Sequence, residues 1–263
     1  MKTFIMKELA NEITAWLNDY AMKANRNAFV VGVSGGVDSA LVSTLCAMTG
    51  LPTHCVILPC ETKSNETDRG VKHINWLIER YSNVTMNQVD LTTTFRAFAA
   101  ECQGKYYYNE LGFANTKSRL RMIALYQVAT CRDGLVVGTG NKVEDYGVGF
   151  FTKYGDGGVD ISPIADLTKT EVRQMCRELG VLPELTNAVP VDGLWTDTRT
   201  DESQLGATYE ELEWAMAYED AIRNGGGGPG DLTRRQREVL YAYRKWHSMT
   251  LHKLAPIPTF RRK

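Results

Sequence analysis

One short stretch limits what this chain can build around it: Val31-Gly32-Val33-Ser34-Gly35-Gly36-Val37-Asp38-Ser39-Ala40. The apolar run Ala28-Phe29-Val30-Val31 ahead of it reads as a buried strand, and Leu41, Leu45 and Met48 behind it recur at helical spacing. A strand that feeds a glycine-rich turn and then a helix start gathers backbone N–H groups at the positive end of the helix dipole, which suits phosphate. The nucleoside triphosphatase loop G-x-x-x-x-G-K-[ST] places a lysine on the terminal phosphates. Here the loop holds Asp38 instead, and no Lys lies between Asn27 and Thr62. A carboxylate beside a phosphate cradle suits a magnesium ion between the two. The loop therefore reads as a grip for pyrophosphate and metal, with chemistry at an α-phosphate rather than a γ-phosphate.

The rest of the first half alternates in type. Phe4, Ile5, Leu9, Ile13, Trp16, Leu17 and Tyr20 give an amphipathic first helix. His54-Cys55-Val56-Ile57-Leu58, stopped by Pro59, reads as a second strand, and residues 84–89 as a third. Between them Val71, Ile74, Leu77 and Ile78 mark a helix. Helices are expected over 95–100 and 118–129, the latter with Leu120, Ile123, Ala124 and Val128 on one face, before the apolar strand Leu135-Val136-Val137-Gly138. Strands and helices alternating at this spacing predict an α/β fold, a parallel sheet with helices on both faces. Ligands in such sheets sit at the carboxyl ends of strands. The glycine loop and Thr139-Gly140-Asn141 both fall at such ends, so they are expected to line one crevice.

The second half is less regular. Residues 147–164 are rich in Gly and aromatics, and Thr168-Lys169-Thr170-Glu171 has the spacing of a capping box. Residues 183–206 lack periodicity and read as a mobile loop. A helix opens at Thr208-Tyr209-Glu210-Glu211, 225–230 is a Gly-rich connector, and a last helix over 233–247 is expected to give way to a basic tail. The whole, 1–263, reads as a single domain. A net charge of −1 argues against a broad nucleic-acid surface. Six cysteines with no C-x-x-C pair read as reduced thiols of a cytoplasmic protein. No signal peptide and no run of ~18 apolar residues is present, so no membrane span is expected.

Several side chains carry two readings. Glu144 and Asp145 are either a solvated acidic pair or the source of a second carboxylate for a magnesium site with Asp38. Lys153, Asp156 and Asp160 are either solvated loop charges or substrate contacts. Lys169 at a helix start opposes the dipole, which points to a role beyond a surface charge. Arg119 and Arg121, two apart on a helix, point in different directions. His252 and Lys253 read as solvent-facing or as ligands.

Taken together, these motifs resemble the ammonia-dependent NAD synthetases, within the N-type ATP pyrophosphatase (PP-loop) group. Ser34-Gly35-Gly36-Val37-Asp38-Ser39 is similar to the loop of the whole group. The more specific likeness lies in Gly138-Thr139-Gly140-Asn141-Lys142-Val143-Glu144, in Gly149-Phe150-Phe151-Thr152-Lys153-Tyr154-Gly155-Asp156-Gly157-Gly158, and in Asp160, Pro163 and Leu167-Thr168-Lys169. Arg119-Leu120-Arg121-Met122, Asp201-Glu202 with Leu205-Gly206, and His252-Lys253 follow in family order.

The resemblance implies an adenine nucleotide alpha hydrolase-like fold and a ligase that converts deamido-NAD to NAD with ATP, Mg²⁺ and ammonia, through an acyl-adenylate. It implies ATP contacts from Gly32, Val33, Ser34, Gly35, Gly36, Val37, Asp38, Ser39, Thr139 and Lys169, and metal ligation by Asp38 and Glu144. It implies deamido-NAD contacts from Arg119, Lys153, Asp160, His252 and Lys253, catalytic roles for Asp38, Asp156 and Lys169, and a homodimer with the dinucleotide at its interface. Asp156 is the expected holder of ammonium and acceptor of its proton. Val191 and Ile57 depart from the family pattern, where many members carry a hydroxyl residue and an Arg, and the stretch from Glu144 to Lys153 is one residue longer than in some relatives. The segment before the loop is too short for an amidase domain, so free ammonia is the expected donor. A PP-loop enzyme acting on tRNA would instead predict a basic RNA surface, and a non-catalytic nucleotide sensor would predict loss of the metal carboxylates.

Overall fold

Four parallel strands organise the molecule: β1 (Ala28–Gly32), β2 (Thr53–Ile57), β3 (Val84–Gln88) and β4 (Gly134–Val137), in the order β3-β2-β1-β4. The computed structural model describes residues 2–62, 64–102, 108–191, 193–195, 197, 199–226 and 230–262. The register sets Val31 beside Cys55 on one side and Val137 on the other. The chain runs outward from β1 to β2 and β3, then crosses back to place β4 on the other flank of β1. The carboxyl ends of β1 and β4 therefore meet where the winding reverses, the place where open α/β sheets bind ligands.

Alternation along the strands decides what each face buries. Phe29 and Val31 point to a core shared with α1 (Lys2–Lys23), α2 (Val37–Met48), α3 (Ser64–Ile78) and α6 (Lys169–Glu178), through Leu17, Leu41, Leu45, Ile74, Val172 and Met175. Val30, Val56 and Val136 point to the opposite core, closed by α4 (Thr92–Glu101) and α5 (Glu110–Arg132) through Phe95, Ala124 and Ala129. Helices thus cover both faces, as the alternation of elements predicts. Burial keeps the thiols inert: Cys46, Cys55, Cys60 and Cys176 are buried and free, and burial pushes the Cys55 thiol up to about 12.

A third cluster lies beyond the sheet edge. A π-helical turn, Lys142–Val148, packs Val143 and Val148 against α8 (Asp201–Leu205), α9 (Tyr209–Arg223) and α10 (Arg234–Leu254), with Leu205, Tyr209, Leu212, Leu240 and Tyr243 filling the contact. Segment 183–206 is not without structure, since α7 (Pro183–Thr186) and α8 occupy its ends. Gly227, Gly228 and Pro229 of the connector, and Asp192, Thr196 and Thr198 of the loop, lie outside the described residues.

Three sequence expectations need correction. The last helix does not stop near His247 but runs to Leu254, so His252 and Lys253 sit on its final turn rather than in a tail. Tertiary contacts extend it: the Thr250 hydroxyl donates to the Val148 carbonyl at 2.9 Å, and Lys253 donates to the carbonyls of Gly149 and Phe151. The α5 helix starts eight residues earlier than 118 because Asn109 caps it, accepting the Gly112 N–H at 2.8 Å. Ile123 is 57% exposed and leaves the buried face of that helix to Ala124 and Ala129. Among the described residues no helix is long and apolar enough to cross a membrane.

The turn from β1 into α2 is held in one shape. Gly35 has φ +83°, and a Cβ there would lie 2.4 Å from the Glu66 carbonyl oxygen. Ser34 and Ser39 brace the turn through their side chains, with the Ser39 hydroxyl donating to the Gly36 carbonyl at 3.0 Å and accepting the Ser34 N–H at 3.2 Å. Replacing Gly35 with Ala combines an unfavourable left-handed conformation with that clash. We expect Gly35→Ala to lower unfolding free energy by about 2 kcal/mol in urea titrations; unchanged stability would show that the turn tolerates a side chain.

Candidate active site

The carboxyl ends of β1, β2 and β4 open into a crevice of about 810 Å³. Gly32, Val33, Ser34, Gly36, Val37, Asp38 and Ser39 line it from the first turn, and Thr139 and Gly140 from the turn after β4. Gly35 lies outside the lining, and its carbonyl accepts from the Arg69 guanidinium at 3.2 Å. Gly36 caps α2 with no side-chain acceptor, which leaves the first-turn N–H groups for a ligand.

At the floor three charged side chains from separate elements meet. Lys169 Nζ lies 2.6 Å from Asp38 Oδ2 and 2.7 Å from Glu144 Oε1, with side-chain exposures of 2%, 16% and 15% for the lysine, Asp38 and Glu144. Local structure sets each one. Asp38 stands in the first turn of α2. Asn141 caps the π-helical turn by accepting the N–H groups of Val143 and Glu144 at 3.1 Å, and its amide donates to Asp38 Oδ1 at 3.1 Å. Lys169 is the first residue of α6, where Thr168 and Glu171 form the capping box that the sequence predicts. Burial pulls Lys169 down, but Asp38 and Glu144 outweigh it and raise its pKa, so it stays charged. Burial pushes the Asp38 carboxyl up, with Glu144 adding to that and Lys169 opposing. Burial acts on Glu144 in the same sense, yet Lys169 together with hydrogen bonds from Lys169, Tyr209 and Asn141 holds it below its ordinary value. The pair of carboxylates, already closed around a cation, matches the hard-oxygen ligation that Mg²⁺ takes alongside phosphate oxygens.

The other wall comes from the Gly-rich segment after the π-helical turn. Asp156 Oδ1 accepts the Ser118 hydroxyl at 2.7 Å and the Thr152 N–H at 2.9 Å. Its pKa is raised by burial, against those two bonds and the charge of Lys253. Asp145 also lines the crevice and is held well above its ordinary value by burial and by Asp156, Glu144 and Asp38. Gly140 makes room for it, since a Cβ there would lie 1.9 Å from the Asp145 carboxylate. Arg119 donates to the Lys153 carbonyl at 3.3 Å, and Lys153 donates to the His252 carbonyl at 3.3 Å. Arg119, Lys153, His252 and Lys253 therefore line one end of the crevice, with Lys253 fixed over the Phe151 ring.

The structure brings together nearly all the residues singled out in the sequence. Gly35 and Asp160 are the exceptions, both outside the crevice lining; the Asp160 carboxylate accepts the Val136 N–H at 2.8 Å and the Tyr126 hydroxyl at 3.0 Å. That side chain secures β4 to its neighbouring segment. Arg121 turns away from Arg119 and bonds the Leu58 carbonyl and Thr62. Ile57 and Val191, the two departures from the family pattern, both line the crevice. Sequence reasoning missed Tyr209. Tyr209 is fully buried, its hydroxyl donates to Glu144 Oε1, and Asp201 Oδ2 lies 3.2 Å from the Tyr209 hydroxyl oxygen. An aromatic at the start of a capped helix reads as core, and only the burial of its hydroxyl separates the two roles.

Known proteins resemble this chain in sequence and in fold. The NAD synthase family model matches residues 9–256. An NH3-dependent NAD⁺ synthetase of Syntrophomonas wolfei is 39% identical over 220 residues, covering 81% of this chain and 84% of the relative. One from Mesoplasma florum is 37% identical over 215 residues, covering 81% and 86%. Among solved structures, an NMN synthetase from Francisella tularensis superposes with a TM-score of 0.81 at 31% identity, covering 97% of this chain and 99% of its own.

The three-charge floor makes a stability prediction. Lys169→Met leaves Asp38 and Glu144 facing each other without their cation, and we expect a loss of about 3 kcal/mol in urea titrations at pH 8. Without the lysine both carboxyls bind protons more readily folded than unfolded, so stability returns as pH falls and the deficit is smaller at pH 5. Equal stability of variant and parent at both pH values would remove this pair from the energetics of the fold.

Proposed function

The chain belongs to the NAD synthase family, and from that membership we propose how its crevice works. The enzyme amidates deamido-NAD to NAD with ATP and ammonia, releasing AMP and diphosphate. The observation that carries the site assignment is the convergence of Asp38, from the end of β1, and Glu144, from the end of β4, on one buried cation.

A carboxylate resists nucleophiles, so the reaction first gives it a leaving group. One oxygen of the nicotinate carboxylate attacks the α-phosphorus of ATP, the bond to the bridging oxygen breaks, and diphosphate departs. The first-turn N–H groups of α2 grip the departing phosphates, Thr139 adds a hydroxyl contact, and Lys169 offsets the charge that develops there. Asp38 and Glu144 would hold Mg²⁺, which when bound neutralises phosphate charge. Ammonia then attacks the acyl carbon, the C–O bond to AMP breaks, and the amide forms. Asp156 holds ammonium through its carboxylate and takes the proton that must leave. Arg119, Lys153, His252 and Lys253 orient deamido-NAD, a positioning role that relies on fixed geometry.

Exposed Leu111 and Ile123 lie on the same helix as Arg119, which supports a second copy of the chain packing beside the dinucleotide end in a homodimer. We place the enzyme in the cytosol. Asp38 and Glu144, the proposed metal carboxylates, lie together at the crevice floor, which disfavours a non-catalytic nucleotide sensor. The near-neutral charge gives no support to a tRNA substrate.

The likeness to the Francisella protein favours a second acceptor, the nicotinate mononucleotide that carries the same carboxylate. Incubation with Mg²⁺, ATP, ammonium and each acceptor separates the readings. We expect NAD and AMP in equal amounts and a kcat/KM at least tenfold higher for deamido-NAD than for the mononucleotide. The reverse preference would make the chain a ligase that amidates the mononucleotide, and ADP in place of AMP would overturn the mechanism.

A further inference from the structure

Tyr209 is the largest fully buried side chain among the described residues, yet its hydroxyl bonds a charged group at the floor of the crevice. It opens α9, where Thr208 and Glu211 form a capping box, and its own N–H donates to Glu202 at 3.1 Å. Its position is therefore fixed by the backbone as well as by packing. The hydroxyl donates to Glu144 Oε1, and Lys169 Nζ lies 4.6 Å above the ring. Asp201 Oδ2, 3.2 Å away, belongs to α8, and the Asp201 N–H donates to the Pro190 carbonyl at 3.2 Å. Pro190, Asp201 and Glu144 all line the crevice.

We propose that Tyr209 is a positioning residue of the amidation reaction: its hydroxyl fixes the Glu144 carboxylate for the metal. The inference rests on the reading of Glu144 as a metal ligand. The physical argument is one of competition. Lys169 and Tyr209 both bond Glu144 Oε1. Lys169 is also the cation that faces the phosphates in the proposed reaction, so its hold on Glu144 weakens when nucleotide arrives. The phenol is neutral and carries one proton, and Tyr209 lies behind the lining of the crevice, with Asp201 at 3.2 Å as the longer of its two carboxylate contacts. Burial and the neighbouring carboxylates raise its pKa, so it remains a donor. It is the partner able to keep Glu144 aimed after Lys169 shifts.

The test is Mn²⁺ affinity, read by electron paramagnetic resonance on full-length enzyme saturated with α,β-methylene-ATP, which cannot be cleaved. Tyr209→Phe keeps the ring and removes the hydroxyl. We expect its Mn²⁺ Kd to rise about tenfold, the size of one hydrogen bond to a charged group. The Mg²⁺ concentration for half-maximal rate rises in parallel, with KM for ammonium unchanged. An unchanged Kd and Mg²⁺ requirement would overturn the proposal. Glu144→Gln separates the two levels: if it weakens Mn²⁺ binding while Tyr209→Phe does not, only the role of Tyr209 fails, and if neither does, the reading of Glu144 fails with it. The parent enzyme, labelled with ¹³Cζ-tyrosine, gives the same answer without substitution. The Tyr209 resonance is expected to move when Mg²⁺ joins the enzyme–analogue complex, and a stationary resonance would contradict the proposal.

Discussion

The ammonium of Lys169, buried between Asp38 and Glu144, ties together three parts of the chain that share no local sequence. Asp38 comes from the turn after β1, Glu144 from the π-helical turn after β4, and Lys169 from the start of α6. Withdrawing such charges from water costs several kcal/mol per ion, and good geometry with further hydrogen bonds is needed to offset it. Asn141 and Tyr209 supply those bonds, one to each carboxylate. The cluster therefore works as a clasp that closes the crevice floor. Its chemistry is also what adenylation needs: two hard carboxylates and one buried cation beside a turn suited to phosphate.

The architecture brings the clasp to the right place. The sheet reverses its winding between β1 and β4, so two loops from distant parts of the sequence face one another. The small core of α8, α9 and α10 then packs on the π-helical turn, burying Val143 and Val148. That packing presents Glu144 to Lys169 and carries the final turn of α10, with His252 and Lys253, to the opposite end of the crevice. The irregular second half of the chain thereby supplies one wall of the site that the regular first half opens.

Much of this was legible in the sequence, for physical reasons that differ by element. The strands and the glycine turn follow from short apolar runs and from the conformational freedom of Gly35, both local properties. The start of α6 follows from its capping box. The length of α10 does not, because the contacts that extend it, from Thr250 and Lys253 to the segment after Val148, are tertiary. The fate of Lys169 could not be read from its place at a helix start, where the dipole opposes it; only two distant carboxylates explain its burial. Asp160 stands in a motif with Asp156, yet two residues of that motif serve different ends, one facing the crevice and one bonding β4. Tyr209 looked like any core aromatic because a hydroxyl partner cannot be inferred from periodicity.

The central claim is that this crevice activates a carboxylate by transferring AMP to it, with cleavage at the α-phosphate. Deamido-NAD labelled with ¹⁸O in its nicotinate carboxylate tests that directly. Once ammonia displaces AMP, one carboxylate oxygen must leave with the phosphate. Mass spectrometry is therefore predicted to find AMP carrying a single heavy oxygen, with diphosphate unlabelled. Unlabelled AMP, or heavy oxygen in diphosphate or phosphate, would contradict the account.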